Sequence, residues 1–352
     1  MSGDSPTSIT NVVPPDPGLR TPDSGRLSTW LLATRPKTLA AGAVPVLVGT
    51  ALGATLVPIN WLAALGCLIG ALLIQIGCNF ANDAFDALKG ADSAARIGPQ
   101  RAVASGLISP RAMLIATGIV LALAFIVGLW LASFGGWIIL VLGVISLVCA
   151  VAYTAGPFPL AYVGLGDLFV FLFFGLVAVI GSGWVQAAPA LAALLPFDQL
   201  GAKGFAIANW SQQQIGLHAW SDLPRTWWLV ASAVGLQATG IIAVNNLRDI
   251  ATDVTVGKRT LAVRLGDRLT RVYTCLLHLA ATVCLVVVAL KTGGWLWLPA
   301  VVAGVGGLLL CSGLVRATGP ALNGYLARSA ALELITGLCL TAALIIAARN
   351  AL

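Results

Sequence analysis

Nine apolar stretches dominate the polarity pattern of the chain, at about 38–57, 61–81, 112–132, 135–155, 163–186, 227–246, 270–290, 294–316 and 329–349. Each has roughly the 20 residues that a helix needs to cross a hydrocarbon core of about 30 Å. None alternates in polarity as the strands of a membrane barrel do. The pattern therefore predicts an all-α, polytopic membrane protein with nine transmembrane helices. The polar intervals divide it further. Residues 1–27 are rich in Pro, Ser, Asp and Gly and lack the apolar core of a secretory signal, so a disordered cytoplasmic tail is expected, followed by a membrane domain over 28–352. The links after the second and sixth stretches are long, charged and glycine-bearing. The link at 187–226 is long but nearly uncharged, and reads as an insertion on the outer face.

Composition agrees with the pattern. The chain is 59% hydrophobic and 9% charged, whereas a soluble domain carries about a quarter charged residues. The net charge of +7 raises the question of nucleic acid, and the distribution of the bases answers it. With the N-terminus cytoplasmic, sixteen Lys and Arg fall on inner segments and four on outer ones. That bias is the topology signal of a membrane protein, not a nucleic-acid footprint. The seven cysteines lie scattered in apolar runs without paired spacing, so they give neither a metal nor a disulfide framework.

Two acidic clusters break the apolar pattern. "NDAFDALKGAD" (82–92) closes the second stretch and "NNLRDIATD" (245–253) closes the sixth. Residues four apart share a helix face, so Asn245, Asp249 and Asp253 form one polar stripe and Asn82 with Asp86 a shorter one. Gly90 allows the chain to turn and bring Asp92 back. Both clusters run on into a basic segment, "RIGPQRAVASG" and "GKRTLAVRLG". This echo suggests a pseudo-repeat with a shared site where the halves meet. Two carboxylates about 4 Å apart repel by roughly 4 kcal/mol at an effective dielectric near 20, so converging acids need cations. Carboxylate and amide oxygens suit Mg²⁺, which typically binds through one or two carboxylates plus substrate phosphates. Arg96, Arg101, Lys258 and Arg259 follow the acids on the same face, and such bases match phosphate oxygens. The result is a diphosphate clamp, and the membrane setting points to a diphosphate carried on a lipid tail.

At these residues the sequence resembles the UbiA superfamily of intramembrane prenyltransferases. The second cluster matches that family's N-x-x-x-D-x-x-x-D motif in full. In the first, Asp86 and the next acid, Asp92, are separated by five residues, a departure similar to the family's naphthoate branch. The strings "NDAFDALKGADSAARIGPQRAVASGLISP", "YTAGPFPLAYVGLGDLFVFLFFG" and "NNLRDIATDVTVGKRTLAVRLGDR" resemble the same branch. The resemblance covers about 28–350 and implies a nine-helix bundle around a central cavity open to lipid. It implies transfer of a polyprenyl chain from its diphosphate to 1,4-dihydroxy-2-naphthoate in a bacterial cell membrane, with loss of CO₂ and diphosphate. Asn82, Asp86, Asp92, Asn245, Asp249 and Asp253 would then hold Mg²⁺, with Asp83 adding or orienting a ligand. Arg96, Arg101, Lys258 and Arg259 would bind diphosphate, Phe85, Tyr153 and Phe158 are pocket candidates, and Asp86 and Asp249 are candidates for a proton-transfer role. Asp167 reads as a helix N-cap before it reads as catalytic, and Glu333 as an intramembrane acid within reach of Arg328. The rival acceptor is another aromatic acid such as 4-hydroxybenzoate, and the rival class is a divalent-cation transporter, which would carry its charges deeper in the spans. Oligomeric state is not legible.

Overall fold

The computed structural model describes residues 26–91, 98, 101–193 and 223–351, and these are almost entirely helical. Each predicted apolar stretch is a helical rod. A short helix α1 (Arg26–Ala33) leads into α2 (Pro36–Gly53) through a bend of 58°. Then follow α3 (Trp61–Leu88), α4 (Pro110–Gly135) and α5 (Trp137–Ala152). The next rod is composite: α6 (Gly166–Val170), a π-helical segment (Phe171–Ile180) and α7 (Gly181–Ala193). The chain closes with α8 (Arg225–Thr255), α9 (Leu261–Thr292), α10 (Trp297–Leu314) and α11 (Leu322–Ala351). Among the described residues seven rods are long and apolar enough to span a membrane, and the bent α1–α2 pair makes an eighth. The fourth stretch, α5, is a shorter apolar helix of 16 residues.

Local chemistry explains the boundaries. Asn60, Ser109 and Thr260 cap α3, α4 and α9 by accepting the N–H of Ala63, Ala112 and Val263, which satisfies a donor that the first turn leaves open. Gly136, at φ 75°, makes the tight corner between α4 and α5, a conformation that favours glycine. Two sequence expectations shift here. Residues 26 and 27, assigned to the tail, begin α1, and residues 187–193 and 225–226, assigned to the insertion, are helical. Residues 1–25 of the tail and 194–222 of the insertion lie outside the described residues.

The core lies where α2, the composite rod, α8, α9 and α11 meet, around Val48, Val179, Ile180, Trp227, Leu285 and Leu340. Close backbone crossing locks part of it: a Cβ on Gly175 of the π segment would stand 2.8 Å from the Cα of Gly235 on α8. The outward faces are as apolar as the core. Leu308 and Leu309 of α10, Leu290 of α9 and Ile126 of α4 are more than half exposed, a surface that lipid, not water, would cover. Among the described residues one contact in this otherwise close bundle is slight. The short α5 packs on α3 and α4 but hardly touches the composite rod that follows it. The gap is a lateral slot between Val144 and Leu147 on one side and Phe169, Phe173 and Val177 on the other.

Candidate active site

The slot leads into a cavity of about 1070 Å³. Its walls are apolar along the spans, with Val46, Leu131, Ile139, Phe174 and Val185 among the lining. At one end the lining turns polar: Asn82, Asp83, Asp86 and Arg101 come from the first motif and its loop, and Asn245, Arg248, Asp249, Asp253 and Lys258 from the second. The two clusters, 163 residues apart in sequence, face one chamber. Asp92 and Arg96 lie outside the described residues.

Each carboxylate has its own environment. Asp86, 3% exposed, accepts a hydrogen bond from Arg101 Nη2 at 3.1 Å and another from the Tyr162 hydroxyl at 2.9 Å. Asp249 is held in bidentate fashion by its neighbour Arg248, through Nε and Nη2, both at 2.7 Å. The same guanidinium donates to Asn245 Oδ1 and to Asn323 Oδ1 on α11, each at 2.9 Å. Asp253 pairs with Lys258 at 3.6 Å. Such charge-assisted contacts fix the orientation of buried acids. Asp83 differs: its two oxygens accept the backbone N–H groups of Ala102 and Val103 at 3.1 and 3.2 Å. It ties the loop after α3 to the helix.

The segment 153–165 straps the two motifs together, and the sequence reading did not single it out for this. Thr154 donates to Asn82 Oδ1 at 2.9 Å, and its carbonyl accepts Lys89 Nζ at 2.7 Å. Tyr162 reaches Asp86 with its hydroxyl while Lys89 and Lys258 stand 4.7 and 5.6 Å from its ring centroid, favourable cation–π positions. Its carbonyl accepts the N–H of Arg259 at 2.9 Å. Partial burial lowers the Lys89 ammonium below its usual value, against the opposing pull of Asp86.

Several expected residues fall elsewhere. Phe158 is 78% exposed, because it sits on the outside of the strap. Phe85 is half-buried on the α3 face turned away from the cavity lining. The aromatic lining comes instead from Tyr153 together with Phe125, Phe169, Phe173 and Phe174. Arg259 is exposed and contributes its backbone, so of the two adjacent bases only Lys258 lines the cavity. Asp167 is not the N-cap of α6, a position held by Leu165, and its carboxylate lines the cavity at 4% exposure. Glu333 is fully buried and away from the cavity lining, with neither oxygen hydrogen-bonded among the described residues. Arg328 lies over the Tyr325 ring at 4.8 Å and forms no ion pair with it.

Among the described residues no three His, Cys, Asp or Glu side chains converge as a self-sufficient metal cage. The donors present fit a different kind of site. Two Asn amides and the Asp carboxylate oxygens of the two motifs suit a hard cation that completes its shell with water and phosphate oxygens. A multi-pass bundle with a lipid-facing slot and an acid- and base-lined polar end defines the class: an intramembrane enzyme for a lipid-tailed anionic substrate.

The comparisons specify the class. The model of the UbiA prenyltransferase family matches residues 42–324, and the chain belongs to that family. Across 285 residues it is 37% identical to 1,4-dihydroxy-2-naphthoate octaprenyltransferase of Escherichia coli, covering 78% of this chain and 81% of that protein. The protein of the same description from Mycobacterium tuberculosis is 36% identical over 296 residues, 84% and 86% of the two chains. Among solved structures, the apo UbiA homolog of Aeropyrum pernix superposes with a TM-score of 0.62 at 18% identity, covering 87% of this chain and 97% of that one. A UbiA homolog of Archaeoglobus fulgidus bound to DMAPP and Mg²⁺ gives 0.58 at 13% identity, covering 90% and 99%. The fold is therefore that of the family, and the protein is a membrane-embedded prenyltransferase.

Proposed function

We propose that the protein transfers a polyprenyl chain from its diphosphate to 1,4-dihydroxy-2-naphthoate, releasing CO₂ and diphosphate and giving the hydroquinone form of demethylmenaquinone. The observation that carries this reading is one chamber with an acid- and base-lined polar end and an apolar, aromatic length that opens to lipid. The acceptor follows from relatives that share more than a third of their residues with this chain over most of its length and are described as naphthoate enzymes. The excess of inner bases supports a cytoplasmic polar end.

Asn82, Asp86, Asn245, Asp249 and Asp253 are the residues that would hold Mg²⁺, and Asp92, outside the described residues, is a further candidate from the sequence. When bound, the ion neutralises charge that develops on the leaving diphosphate. The protein's own groups do the rest. Lys258, Arg101 and Lys89 provide positive charge around the phosphate oxygens. Arg248 and Tyr162 hold Asp249 and Asp86 in orientation, and Asp83 fixes the loop that delivers Arg101. The phenylalanines of the slot face the allylic end of the donor, where their ring faces favour a developing cation and their bulk excludes the water that would quench it.

The test uses purified protein in lipid with dihydroxynaphthoate, a long-chain prenyl diphosphate and Mg²⁺. Prenylated product and diphosphate are expected, with activity abolished by chelation and reduced at least about 100-fold in Asp86→Asn and Asp249→Asn. Turnover of 4-hydroxybenzoate with none of naphthoate would overturn the acceptor. Full activity of both variants would overturn the assignment of the clamp.

A further inference from the structure

We infer that Asp167 is a catalytic residue that takes up the acceptor's naphthol proton, an inference that rests on the reaction proposed above. Asp167 is the second residue of α6, and its side chain is 4% exposed on the wall of the main cavity. Behind it lies a smaller cleft of about 300 Å³, which it lines together with Tyr273 and Thr239. The hydroxyl of Tyr153, another cavity residue, borders the adjacent Gly166, where a Cβ would stand 2.9 Å from it.

What sets Asp167 apart is its partners. Asp86, Asp249 and Asp253 each face an arginine or a lysine. Among the described residues Asp167 has no cation within ion-pair distance, and it belongs to neither N-x-x-x-D motif. Its neighbours are neutral: the Asn246 amide at 3.5 Å, a weak contact by hydrogen-bond standards, and the Tyr273 phenol beside it. A carboxylate gripped by a guanidinium or ammonium group presents its oxygens to that partner rather than to a substrate hydroxyl. Among the described residues the other cavity acid without such a cation, Asp83, has both oxygens taken by backbone N–H groups, which leaves Asp167 as the carboxylate least committed to a partner.

The chemistry requires such a group. A neutral naphthol ring is a weak nucleophile, and loss of the hydroxyl proton sends electron density to the ortho carbon, which bears the carboxylate. Asp167 takes that proton. The ring carbon forms the new C–C bond as the allylic C–O bond breaks, its electron pair leaving with the diphosphate. The C–CO₂ bond then breaks, and its pair restores the aromatic ring as a naphtholate. The naphtholate recovers the proton from Asp167, so the cycle consumes no external acid, base or oxidant. Separate carboxylates thus serve the two ends of the reaction, the motif acids at the diphosphate and Asp167 at the ring.

The experiment compares wild type, Asp167→Asn and Asp167→Glu in lipid, with naphthoate and with its 1-methoxy analogue. Asp167→Asn is expected to lower kcat about 100-fold or more while leaving Mg²⁺-dependent binding and KM of the prenyl diphosphate within about twofold, with partial rescue in Asp167→Glu. Methylation should slow the wild type strongly and Asp167→Asn no further. With a non-reactive thio-diphosphate analogue present, bound naphthoate should show naphtholate absorption in wild type and naphthol absorption in Asp167→Asn. A variant with unchanged kcat, with the same bound spectrum as wild type, or with lost prenyl diphosphate binding would overturn the inference while naphthoate turnover by wild type keeps the reaction itself. A wild type that does not prenylate naphthoate at all would overturn both.

Discussion

The two aspartate motifs occupy equivalent places, at the C-terminal ends of α3 and α8, yet they are built differently. Asp249 is oriented from its own helix: Arg248, one residue before it, grips both carboxylate oxygens and is itself braced by Asn245 and by Asn323 of α11. Asp86 is oriented from outside, by Arg101 in the following loop and by Tyr162 in the strap, 15 and 76 residues away. The first motif also spends an acid, Asp83, on fastening that loop. A half-site on helix and side chains is set once α8 packs on α11. A half-site on loops depends on every closure around it, and each closure costs entropy.

This difference can be broken at three points. Arg248→Met removes the brace of the helix-built half and leaves Asp249 buried beside an apolar chain. Breaking a buried ion pair from one side costs about 3–5 kcal/mol, so less than about 1% of activity should remain, read as kcat in the prenyl-transfer assay. Asp83→Asn acts on the loop-built half: an amide cannot accept from both Ala102 and Val103 without turning its own N–H₂ toward one of them. The expected cost is about 1–3 kcal/mol of stability, seen as a lower Tm and earlier proteolysis within 101–108, with Mg²⁺ dependence retained. Tyr162→Phe is the mildest change. It deletes one hydrogen bond to Asp86 and keeps the ring on which Lys89 and Lys258 sit, so a loss of about 3–10-fold in kcat/KM is expected. Equal losses in Arg248→Met and Tyr162→Phe would show that the halves are held in the same way.

Much of this was legible in the sequence because the membrane enforces simple rules. Every apolar stretch of sufficient length is a helix, since a spanning backbone must satisfy its own hydrogen bonds. The motif acids face the cavity because i, i+4 spacing fixes a helix face. Arg248 carried the same signal, lying three residues from Asn245 on that face, but it stood out only as one more inner base. Tyr162 and Lys89 had no such signal, because a strap has no periodicity from which to read direction. Phe158 and Phe85 were misplaced for the same reason: proximity to a motif does not say where a ring points. The π segment was invisible as well, since apolar residues do not distinguish one helical winding from another. Glu333, whose depth would suit a transporter, lies buried off the cavity lining.

The slot between α5 and the π segment has a consequence for the direction of the reaction. Its products differ completely in solubility: diphosphate belongs in water, and a prenylated naphthol belongs in the bilayer. The diphosphate is released at the polar end of the chamber, while the slot opens sideways into hydrocarbon. Under the proposed reaction the slot offers the naphthol a way into lipid and the polar end offers the diphosphate a way into water, so these two, and the lost CO₂, would have to be brought back together for the bond to be undone. A slight contact along one short helix thereby works as a valve.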